Sequence, residues 1–420
     1  MKARKQEQSP EELYQERERR VRDAIELRVP DRVPLTPFYM FYPAFQAGMN
    51  AKQAMYDYSG LEDVARNMVQ DFGFDMFNNL HPIVSLGPLL DILQWKQFKW
   101  PGQQIAEDYT YQFVEDEYMP PEDYDAFLND PTGYILRTYL PRTFDSLAGL
   151  KRFPSLPSLY YTRFLTGTRA FGLPELGGAL EVLAEAGREA KKLLDRGAAY
   201  QQEMRALGVP MQFGATAYAP FDYIGDLYRG TVGVMTDLYR RPDKLLAMME
   251  KLVPYIIQGA VGATRATGVP VAFMPLHKGL DGFMSPKHFE EFYWPSLKAV
   301  ILGLIDLDIV PLVLWEGNCD SRLEQIRIPK GKAIYWFEKT DLFRAKEILG
   351  DVVCLRGNVP ASLLNTGTPD EVTAYCRQLI EVVGKDGGFI MDGAIGIPDE
   401  AKPENVKAMC DAVFEYGRYA

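Results

Sequence analysis

Polar side chains crowd the end of one apolar run. The run "IVPLVLW" (309–315) leads directly into Glu316, Asn318, Cys319 and Asp320. A carboxylate at such a point can bind a metal or transfer a proton. An aspartate just before a helix commonly caps that helix instead. The pattern therefore leaves a metal site, an acid/base site and a helix cap open; we interpret Asp320 as a cap and Cys319 as incidental.

Two further residues extend this candidate site. His277 follows the apolar run "VAFMPL", and Glu338 ends the next run after Glu316. The set Glu316, Glu338 and His277 predicts a zinc site of the nitrogen and oxygen type, with one position open for substrate. The same residues could instead act as catalytic acid and base. Neither HxH nor HExxH spacing supports the metal, and a histidine hydrogen-bonded to loop backbone is an equal alternative.

Other candidates lie where apolar runs end. We predict that a group of these residues contacts substrate: Tyr39, Tyr42, Asn78, Tyr218, Asp222, Arg356 and Asn358. Asp226, Lys278 and Asp392 also follow such runs. The chain is rich in aromatic residues, with 24 Tyr, 23 Phe and 5 Trp. Aromatic walls suit a flat, apolar substrate, although these residues could equally stabilise a long loop.

The elements that must position these residues alternate between strand and helix. Strands are predicted at residues 32–37, 72–79, 209–216, 269–276, 309–315, 332–338, 351–357 and 387–393. Helical periodicity follows most of them, which predicts a parallel sheet covered by helices. Eight strands favour an α/β fold of the (β/α)8 TIM-barrel type, in which reacting groups sit at the C-terminal strand ends. No GxGxxG or GxxxxGK[ST] motif follows the first strand, so nucleotide binding loses support.

Two regions lie outside this repeat. Residues 1–30 are predicted to form a charged helical arm, because Ser9, Pro10 and Glu12 make a capping-box start. Residues 81–208 are too long for one loop and are expected to be an insertion after the second strand that covers the barrel mouth. A separate small domain is the alternative. The barrel itself is predicted to span residues 31–420.

Bulk composition narrows the class of protein. A net charge of −11 and an acidic pI argue against nucleic acid and against an anionic membrane as partners. No apolar run is expected to reach the length needed to span a bilayer, and the start of the sequence has no apolar signal core, so export is not expected. Four cysteines without CxxC spacing fit a reducing compartment, so a cytoplasmic location is expected.

Several longer motifs resemble the uroporphyrinogen decarboxylase superfamily. They are "DRVPLTPF", "GFMSPKHFEEFYWPSLKAVI", "CLRGNVPASLLNTGTPDEV" and "GGFIMDGAIGIPDEAKPENVKAM". The resemblance runs from about Asp31 to the C-terminus and is weakest across the insertion. It implies a (β/α)8 barrel, in agreement with the strand count. The superfamily includes the decarboxylase, methylcobamide:coenzyme M methyltransferases and corrinoid-dependent O-demethylases, and dimers are known in its decarboxylase branch.

Departures from the family motifs favour one branch. The decarboxylase carries arginines after its first strand, but "FYMFYPAFQAGMN" contains neither Arg nor Lys. A polycarboxylated tetrapyrrole would find little to pair with there. The coenzyme M methyltransferases bind zinc through an HxCG motif and a late cysteine. Leu314, Trp315, Glu316 and Gly317 replace the motif, and Ile395 replaces the cysteine. The loss of thiolates points away from a thiol acceptor and toward an oxygen-bearing substrate.

The resemblance thus implies a corrinoid-dependent demethylating methyltransferase acting on a methoxylated aromatic or similar small molecule. Its acceptor would be the corrinoid of a partner protein, because this chain has no DxHxxG-like motif. Two alternatives stay open. One is a cofactor-independent decarboxylase or lyase for a small apolar acid, with Asp222 or Asp75 handling the proton. The other is a protein that binds a corrinoid or ligand without turnover. A homodimer is a further expectation.

Overall fold

Six parallel strands form most of a barrel in the computed structural model, which describes residues 8–419. The strands β3 to β8 pair in chain order. They are Ala215–Thr216, Val271–Leu276, Val310–Trp315, Ile334–Phe337, Cys354–Arg356 and Phe389–Ile390. Each falls inside a run that the sequence predicted as a strand. These runs are rich in Val, Ile, Leu and aromatic residues, as expected for strands covered on both faces.

The first two predicted strands close the barrel through isolated contacts. Leu35 bridges Met391 in parallel on one side, and the Asp75 N–H donates to the Leu35 carbonyl on the other at 2.8 Å. Phe77 in turn bridges Met211 in parallel. Residues 32–37 and 72–79 therefore occupy the two remaining barrel positions without forming continuous strands. The eight-stranded barrel predicted from the sequence is confirmed.

Helices surround the barrel and fill the insertion. The helices α1 to α19 are Pro10–Ile25, Tyr42–Gln46, Ala51–Tyr56, Tyr58–Asp71, Gly87–Leu93, Tyr124–Asn129, Pro131–Tyr134, Leu140–Thr143, Thr162–Gly167, Pro174–Ala206, Pro220–Tyr223, Gly230–Arg240, Pro242–Thr267, Pro286–His288, Trp294–Ile305, Leu342–Leu349, Ala361–Thr366, Pro369–Gln378 and Pro403–Tyr416. Within residues 8–419, π-helical segments lie at Ile135–Tyr139, Ile224–Arg229, Phe289–Tyr293 and Leu379–Val383. Short 3-10 segments are Pro121–Asp123, Asp145–Arg152, Leu156–Ser158, Thr168–Gly172 and Asp320–Arg322.

The arm helix α1 packs against the N-terminal end of the barrel. It begins with the predicted capping box, in which the Ser9 side chain accepts from the Glu12 N–H and Glu12 accepts from Ser9. Val21, Ala24 and Ile25 are buried in the same cluster as the inward-facing barrel residues. The arm thus closes one end of the barrel; residues 1–7 of the predicted arm lie outside the described residues.

Helix α13, Pro242–Thr267, is long and apolar enough by composition to pass as a membrane span. The expectation that no apolar run is long enough to span a membrane was therefore wrong. In the fold α13 is an outer helix of the barrel that packs against α15 and β3. Part of its apolar surface is covered there, since Leu245, Met248 and Leu252 are buried.

The insertion combines a hairpin with helices. Strands β1 (Phe98–Lys99) and β2 (Gln112–Phe113) pair antiparallel. Helix α10 is the longest element, with 33 residues. The Gln97 side chain donates to the Leu227 carbonyl at 3.1 Å, and the Met119 N–H donates to the Tyr228 carbonyl at 2.7 Å. The insertion is thereby attached to the loop that follows β3.

Candidate functional site

Strand alternation selects which side chains face the barrel interior. In β4 the outward residues Ala272, Met274 and Leu276 are buried under helices, whereas the inward residues between them are partly exposed. Partial exposure of the inner-face residues shows that side chains do not fill the barrel interior completely along β4. His277 and Glu316 follow β4 and β5 at the next inward positions. Both therefore stand at the rim of that space.

The open interior is lined by phenylalanines. The ring centroids of Phe38 and Phe273 lie 5.6 Å apart, and those of Phe213 and Phe273 lie 5.3 Å apart. Trp336 adds an edge contact to Phe38 at 5.8 Å. These aromatic rings form an apolar wall beneath the polar rim. Phe38 and Phe213 are buried and pack against each other and against Phe273, so the predicted aromatic pocket stays a prediction.

At the rim, His277 is held between two carboxylates. Its Nδ1 lies 2.7 Å from Asp226 Oδ2, and its Nε2 lies 3.7 Å from Glu316 Oε1. The first distance is a hydrogen bond, while the second leaves Nε2 free for another partner. Asp226 and Asp222 lie four residues apart, where α11 passes into a π-helical segment. That local geometry turns Asp226 toward His277.

A buried carboxylate positions the same loop. The backbone N–H groups of His277 and Lys278 donate to Asp222 at 2.9 and 3.0 Å. The Tyr293 hydroxyl donates to Asp222 Oδ2 at 2.6 Å. Asp222 therefore fixes the strand-end loop rather than facing the open interior. Burial raises the pKa of Asp222 to about 6, although the charge of His277 opposes this rise.

The electrostatics of the rim favour a protonated histidine. Burial alone would lower the pKa of His277, but the hydrogen bond to Asp226 and the charges of Asp222, Asp226 and Glu316 raise it to about 9. Burial raises the pKa of Glu316, and the nearby charge of Glu338 adds to this while His277 opposes it. Burial would also raise the pKa of Asp226, but His277 and Lys278 lower it overall. The rim therefore pairs an imidazolium with carboxylates.

Lys278 gives the rim its second cation and connects it to the insertion. Its Nζ lies 2.5 Å from Asp226 Oδ1 and 3.8 Å from Glu115 Oε2. Glu115 belongs to the insertion, so this contact brings the insertion to the barrel mouth. Whether the insertion covers the whole mouth as a lid stays a prediction.

Glu338 faces a neighbouring groove instead of completing a trio with His277 and Glu316. The groove has a volume of about 640 Å³ and is lined by Glu338, Thr340, Asn358 and Tyr375 among others. Asn358 is fixed there, because its Nδ2 donates to the Thr340 carbonyl at 3.0 Å and the Tyr375 hydroxyl donates to its Oδ1 at 3.0 Å. The Glu338 N–H donates to the carbonyl of Trp315, the residue before Glu316, at 3.2 Å, so groove and rim adjoin.

The predicted zinc ligands do not assemble into a set of three. Within residues 8–419, no group of three His, Cys, Asp or Glu side chains is placed to hold a metal ion. Glu316 and His277 are neighbours, and Asp226 supports His277 as a carboxylate commonly supports a zinc-bound histidine. The third ligand is missing, since Glu338 faces the groove. The residues as placed do not fit zinc, and zinc binding stays a prediction.

Three residues predicted to contact substrate are used elsewhere. Tyr39 is fully buried and packs against Phe74 on the outer side, because alternation directs Phe38 inward. Tyr42 is also buried, on the side of α19. Asn78 exchanges hydrogen bonds with the Tyr39 backbone and so joins the first two barrel strands. The prediction that these three line the pocket was wrong.

Arg356 lies inside the barrel but is already paired. Its Nε donates to Asp392 at 2.9 Å, and a terminal nitrogen donates to Gln212 and to the Thr36 carbonyl at 2.8 and 2.7 Å. The guanidinium connects strands across the barrel and has little capacity left for a substrate carboxylate. Tyr218 is the predicted residue that does stand at the rim, partly exposed beside Tyr223.

The segment after Glu316 also differs from expectation. Asp320 does not cap the next helical turn; its carboxylate accepts from the Asn318 amide at 2.7 Å and from the Asp341 N–H at 3.1 Å. Asp320 therefore joins two strand-end loops. Cys319 is fully buried against Thr340, at 3.0 Å between Sγ and Oγ1, which agrees with its incidental role.

Sequence reasoning placed Asp226 and Lys278 at strand ends but did not include them in the site. The four-residue spacing of Asp222 and Asp226 was the available signal, because it places both on one side of a helical turn. Tyr293 gave no signal, since it lies inside an aromatic helical run.

Comparison with known proteins places this arrangement in a family. The model of the uroporphyrinogen decarboxylase (URO-D) family matches residues 188–416, more than half of the chain. The chain therefore belongs to the uroporphyrinogen decarboxylase family. The matched region contains β3 to β8 and all the rim residues except Glu115.

Curated relatives are distant and only partly covered. The uroporphyrinogen decarboxylase of Chlorobium luteolum is 24% identical over 250 residues, 58% of this chain and 67% of that protein. The enzyme of Pseudoalteromonas translucida is 26% identical over 181 residues, 42% of this chain and 50% of that protein. The matches thus span about half to two thirds of these relatives.

A solved structure matches nearly the whole fold. A methyltransferase from Methanosarcina mazei superposes with a TM-score of 0.62 at 15% sequence identity, covering 94% of this chain and 98% of that one. At this identity the likeness establishes the barrel fold. Its name and those of the curated relatives describe two different kinds of enzyme.

Proposed function

We propose that this chain is a methyltransferase of the demethylating kind, which removes a methyl group from a methoxylated aromatic. The observation that carries the proposal is His277, whose Nδ1 is bound by Asp226 and whose Nε2 stands free at the rim of a phenylalanine-lined interior. With a pKa raised to about 9, this imidazole carries a proton at neutral pH. It is thus suited to protonate a leaving phenolate, because the pKa of a simple phenol such as the tyrosine side chain is about 10.

The shape and charge of the site support a flat substrate without many carboxylates. Phe273 is partly exposed on the inner face and offers an aromatic surface to such a substrate, with Phe38 and Phe213 packed against it. At the rim, the carboxylates of Glu115, Asp226 and Glu316 outnumber the cations His277 and Lys278. Arg356, the guanidinium inside the barrel, is bound to Asp392. A polycarboxylated tetrapyrrole would meet net repulsion here.

The proposed transfer balances in atoms and electrons. The bond between the ether oxygen and the methyl carbon breaks, and its electron pair stays on the oxygen. His277 Nε2–H supplies the proton that converts this oxygen to a phenol. The acceptor, a cobalt(I) corrinoid, provides the electron pair for the new bond to the methyl group and is oxidised to cobalt(III). Asp226 holds the charged imidazole in place throughout.

We further propose that a separate corrinoid protein brings this acceptor, and that the chemistry takes place in a reducing cytoplasm. No step of this transfer passes through zinc, because the candidate ligands within residues 8–419 do not form a set of three. Glu316 then acts as the carboxylate beside Nε2, which stabilises the imidazolium before the proton leaves.

The test is methyl transfer to free cob(I)alamin under anaerobic conditions. The purified chain is mixed with 2-methoxyphenol or 1,2-dimethoxybenzene bearing a deuterated methyl group, with and without added zinc. We expect deuterated methylcobalamin, detected by absorbance and mass spectrometry, and its loss in Glu316→Gln. The matched control Glu291→Gln removes an exposed carboxylate on an outer helix and should leave the rate unchanged. No methyl transfer to cob(I)alamin from either methoxyarene would count against the proposal.

A decarboxylase or lyase for a small apolar acid is the second candidate. It is favoured by the names of the curated relatives and by Asp222, whose pKa burial raises to about 6. Asp75, the other proton handler considered, is paired with Arg20 and Arg32 beside the arm helix, away from the rim. Release of carbon dioxide from an aromatic or aliphatic acid, without methyl transfer, would favour this candidate. Cobalamin binding without any product would favour a binding protein.

A further inference from the structure

The carboxylate of Glu338 has no hydrogen-bond donor among the described residues. Its side chain is only 20% exposed, and its ion-pair contact is with Lys339, at 3.6 Å between Nζ and Oε1. That distance exceeds a hydrogen bond, and the Lys339 side chain is 70% exposed, so the attraction between the two is weak. A mostly buried carboxylate without a donor costs free energy unless a ligand supplies one.

The neighbouring carboxylates of the strand-end loops do have donors. Asp341 accepts from the backbone N–H groups of Phe343 and Arg344 at 2.9 and 3.2 Å, where α16 begins. Asp320 accepts from the Asn318 amide at 2.7 Å and from the Asp341 N–H at 3.1 Å. These two carboxylates therefore have structural roles. The carboxylate of Glu338, by contrast, can still accept hydrogen bonds from a bound molecule.

The groove that Glu338 lines suits an organic cation. Its volume of about 640 Å³ is large enough for part of a small organic molecule. Its charged lining residues are Glu338, Lys339 and Asp341, and no arginine or histidine occurs among the described residues that line it. The aromatic side chains of Phe343 and Tyr375 line the same groove. Carboxylates beside aromatic rings attract an organic cation and repel an anion.

The groove lies within reach of a molecule bound at the rim. Trp315 and Phe337 are register partners in the parallel strands β5 and β6, so Glu316 and Glu338, which follow them, are neighbours. His277 follows β4, the strand on the other side of β5. Two strand spacings, about 10 Å in all, therefore separate His277 from Glu338. A benzene ring with an ether oxygen at one end and a two-carbon ammonium arm at the other has about this reach.

We propose that Glu338 binds the ammonium group of a methoxylated arylalkylamine whose ether oxygen lies at His277. This inference rests on the proposed function, which it narrows to one class of substrate. The ammonium group donates charge-assisted hydrogen bonds to the Glu338 carboxylate, which otherwise has no donor. A metal ion would need several ligands together, and within residues 8–419 no group of three His, Cys, Asp or Glu side chains is placed to provide them. Glu338 is thus a specificity residue, because it binds a part of the substrate that does not react.

Three ligands with the same ring and the same arm length test the proposal. They are 4-methoxyphenethylamine, 4-methoxyphenethyl alcohol and 4-methoxyphenylacetate, and isothermal titration calorimetry of the full chain without cobalamin measures each dissociation constant. We expect the wild type to bind the amine about ten- to hundredfold more tightly than the alcohol, and the acid most weakly. Glu338→Gln should weaken binding of the amine by about the same factor. The alcohol should keep its wild-type affinity, which also shows that the variant is folded.

The matched control Glu347→Gln removes an exposed carboxylate from α16, the helix that begins beside the groove. It should leave all three affinities unchanged. Equal binding of the amine and the alcohol by the wild type would overturn the proposal. A preference for the amine that Glu338→Gln retains would overturn it as well, because the ammonium group would then bind elsewhere.

Turnover separates a failure of this inference from a failure of the proposed function. With cob(I)alamin as acceptor, Glu338→Gln should raise the KM for the amine by about ten- to hundredfold at an unchanged kcat, as for a contact made equally in the ground state and the transition state. Binding of the amine that depends on Glu338, without any methyl transfer, would keep the cation site and reject the proposed function. Methyl transfer from the amine at the same KM in both proteins would keep the function and reject the cation site.

Discussion

The two ends of the barrel use the same kinds of side chain in opposite ways. At the arm end, Asp75 is completely buried and accepts from Arg20, from Arg32 and from the Leu35 N–H. At the mouth, Asp226 binds His277, but among the described residues one nitrogen of His277 has no hydrogen-bond partner, and more than a third of its side chain is exposed. A charged side chain whose hydrogen-bonding atoms all have protein partners has a structural role. A charged side chain with one free hydrogen-bonding atom can act on a ligand.

Removal of the mouth histidine should give the largest effect on activity. In His277→Gln the side chain can still hydrogen-bond to Asp226 but cannot deliver a proton. We expect methyl transfer to fall by about 10² to 10⁴-fold, the range found for general acid–base residues. Stopped-flow formation of methylcobalamin measures the loss on protein that circular dichroism shows to be folded, because His277 also contributes to stability at neutral pH. Transfer at the wild-type rate would remove His277 from the mechanism.

A substitution of Asp75 at the arm end should lower stability and leave activity unchanged. Asp75→Asn takes the ion-pair partner from the buried guanidinium of Arg32 and removes one of the three carboxylates that pair with Arg20. We expect a loss of about 3–5 kcal/mol in the free energy of unfolding, as for other buried pairs that lose one partner. Urea denaturation measures this loss. Protein that remains folded should keep the wild-type rate, and a specific loss of rate without a loss of stability would contradict the contrast between the two ends.

This contrast shows what the sequence could and could not predict. The strands were predictable, because apolar and β-branched runs with helical periodicity between them require a covered parallel sheet. His277 and Glu316 were found as strand-end residues, since a parallel barrel brings all such ends together. The partners of Asp75 could not be predicted, because Arg20 and Arg32 lie 55 and 43 residues away and no local pattern connects them to Asp75.

Side-chain direction was the main source of error. One residue of register separates Phe38, which faces the interior, from Tyr39, which faces the helices. The first barrel strand makes only isolated bridges and has no regular alternation of apolar and polar residues. The direction of its side chains could therefore not be predicted from the sequence. The grouping of Glu338 with His277 and Glu316 was not found for a related reason. Glu338 follows the expected strand, but its loop directs it into the neighbouring groove.

The pH dependence of the reaction should expose the support that Asp226 gives to His277. Because the folded-state pKa of His277 is raised from 6.5 to about 9, the protonated form persists through neutral pH. The rate should therefore hold up to about pH 9 and decline above it. The same sign applies to stability: this contribution is complete below pH 6.5 and is lost as the pH rises through about 9.

Asp226→Asn removes the carboxylate that contributes to this shift. We expect the alkaline limb of the rate to move toward lower pH and the rate at pH 8 to fall by about 10- to 100-fold, as fewer molecules carry the proton. A pH–rate profile from pH 5 to 10 measures both changes. An unshifted alkaline limb in this variant would assign that limb to a group other than His277.

The smallest expected effect separates two buried tyrosine hydroxyls. The Tyr293 hydroxyl donates to Asp222, which holds the His277 loop, whereas the Tyr335 hydroxyl donates to the Ile326 carbonyl at 2.9 Å, below β5 and β6. Both side chains are completely buried, so Tyr→Phe at either position loses one hydrogen bond, worth about 0.5–3 kcal/mol depending on the charge of the acceptor. Only Tyr293→Phe is expected to lower kcat, by about three- to tenfold, because misplacement of the His277 backbone moves Nε2 away from the leaving oxygen.

The decisive readout is the pair of kcat and the free energy of unfolding for both variants. Tyr335→Phe should lose stability at an unchanged kcat. If Tyr293→Phe lowered the free energy of unfolding without lowering kcat, Asp222 would have a purely structural role, like Asp75. Among the carboxylates at the mouth, the role in activity would then start with Asp226.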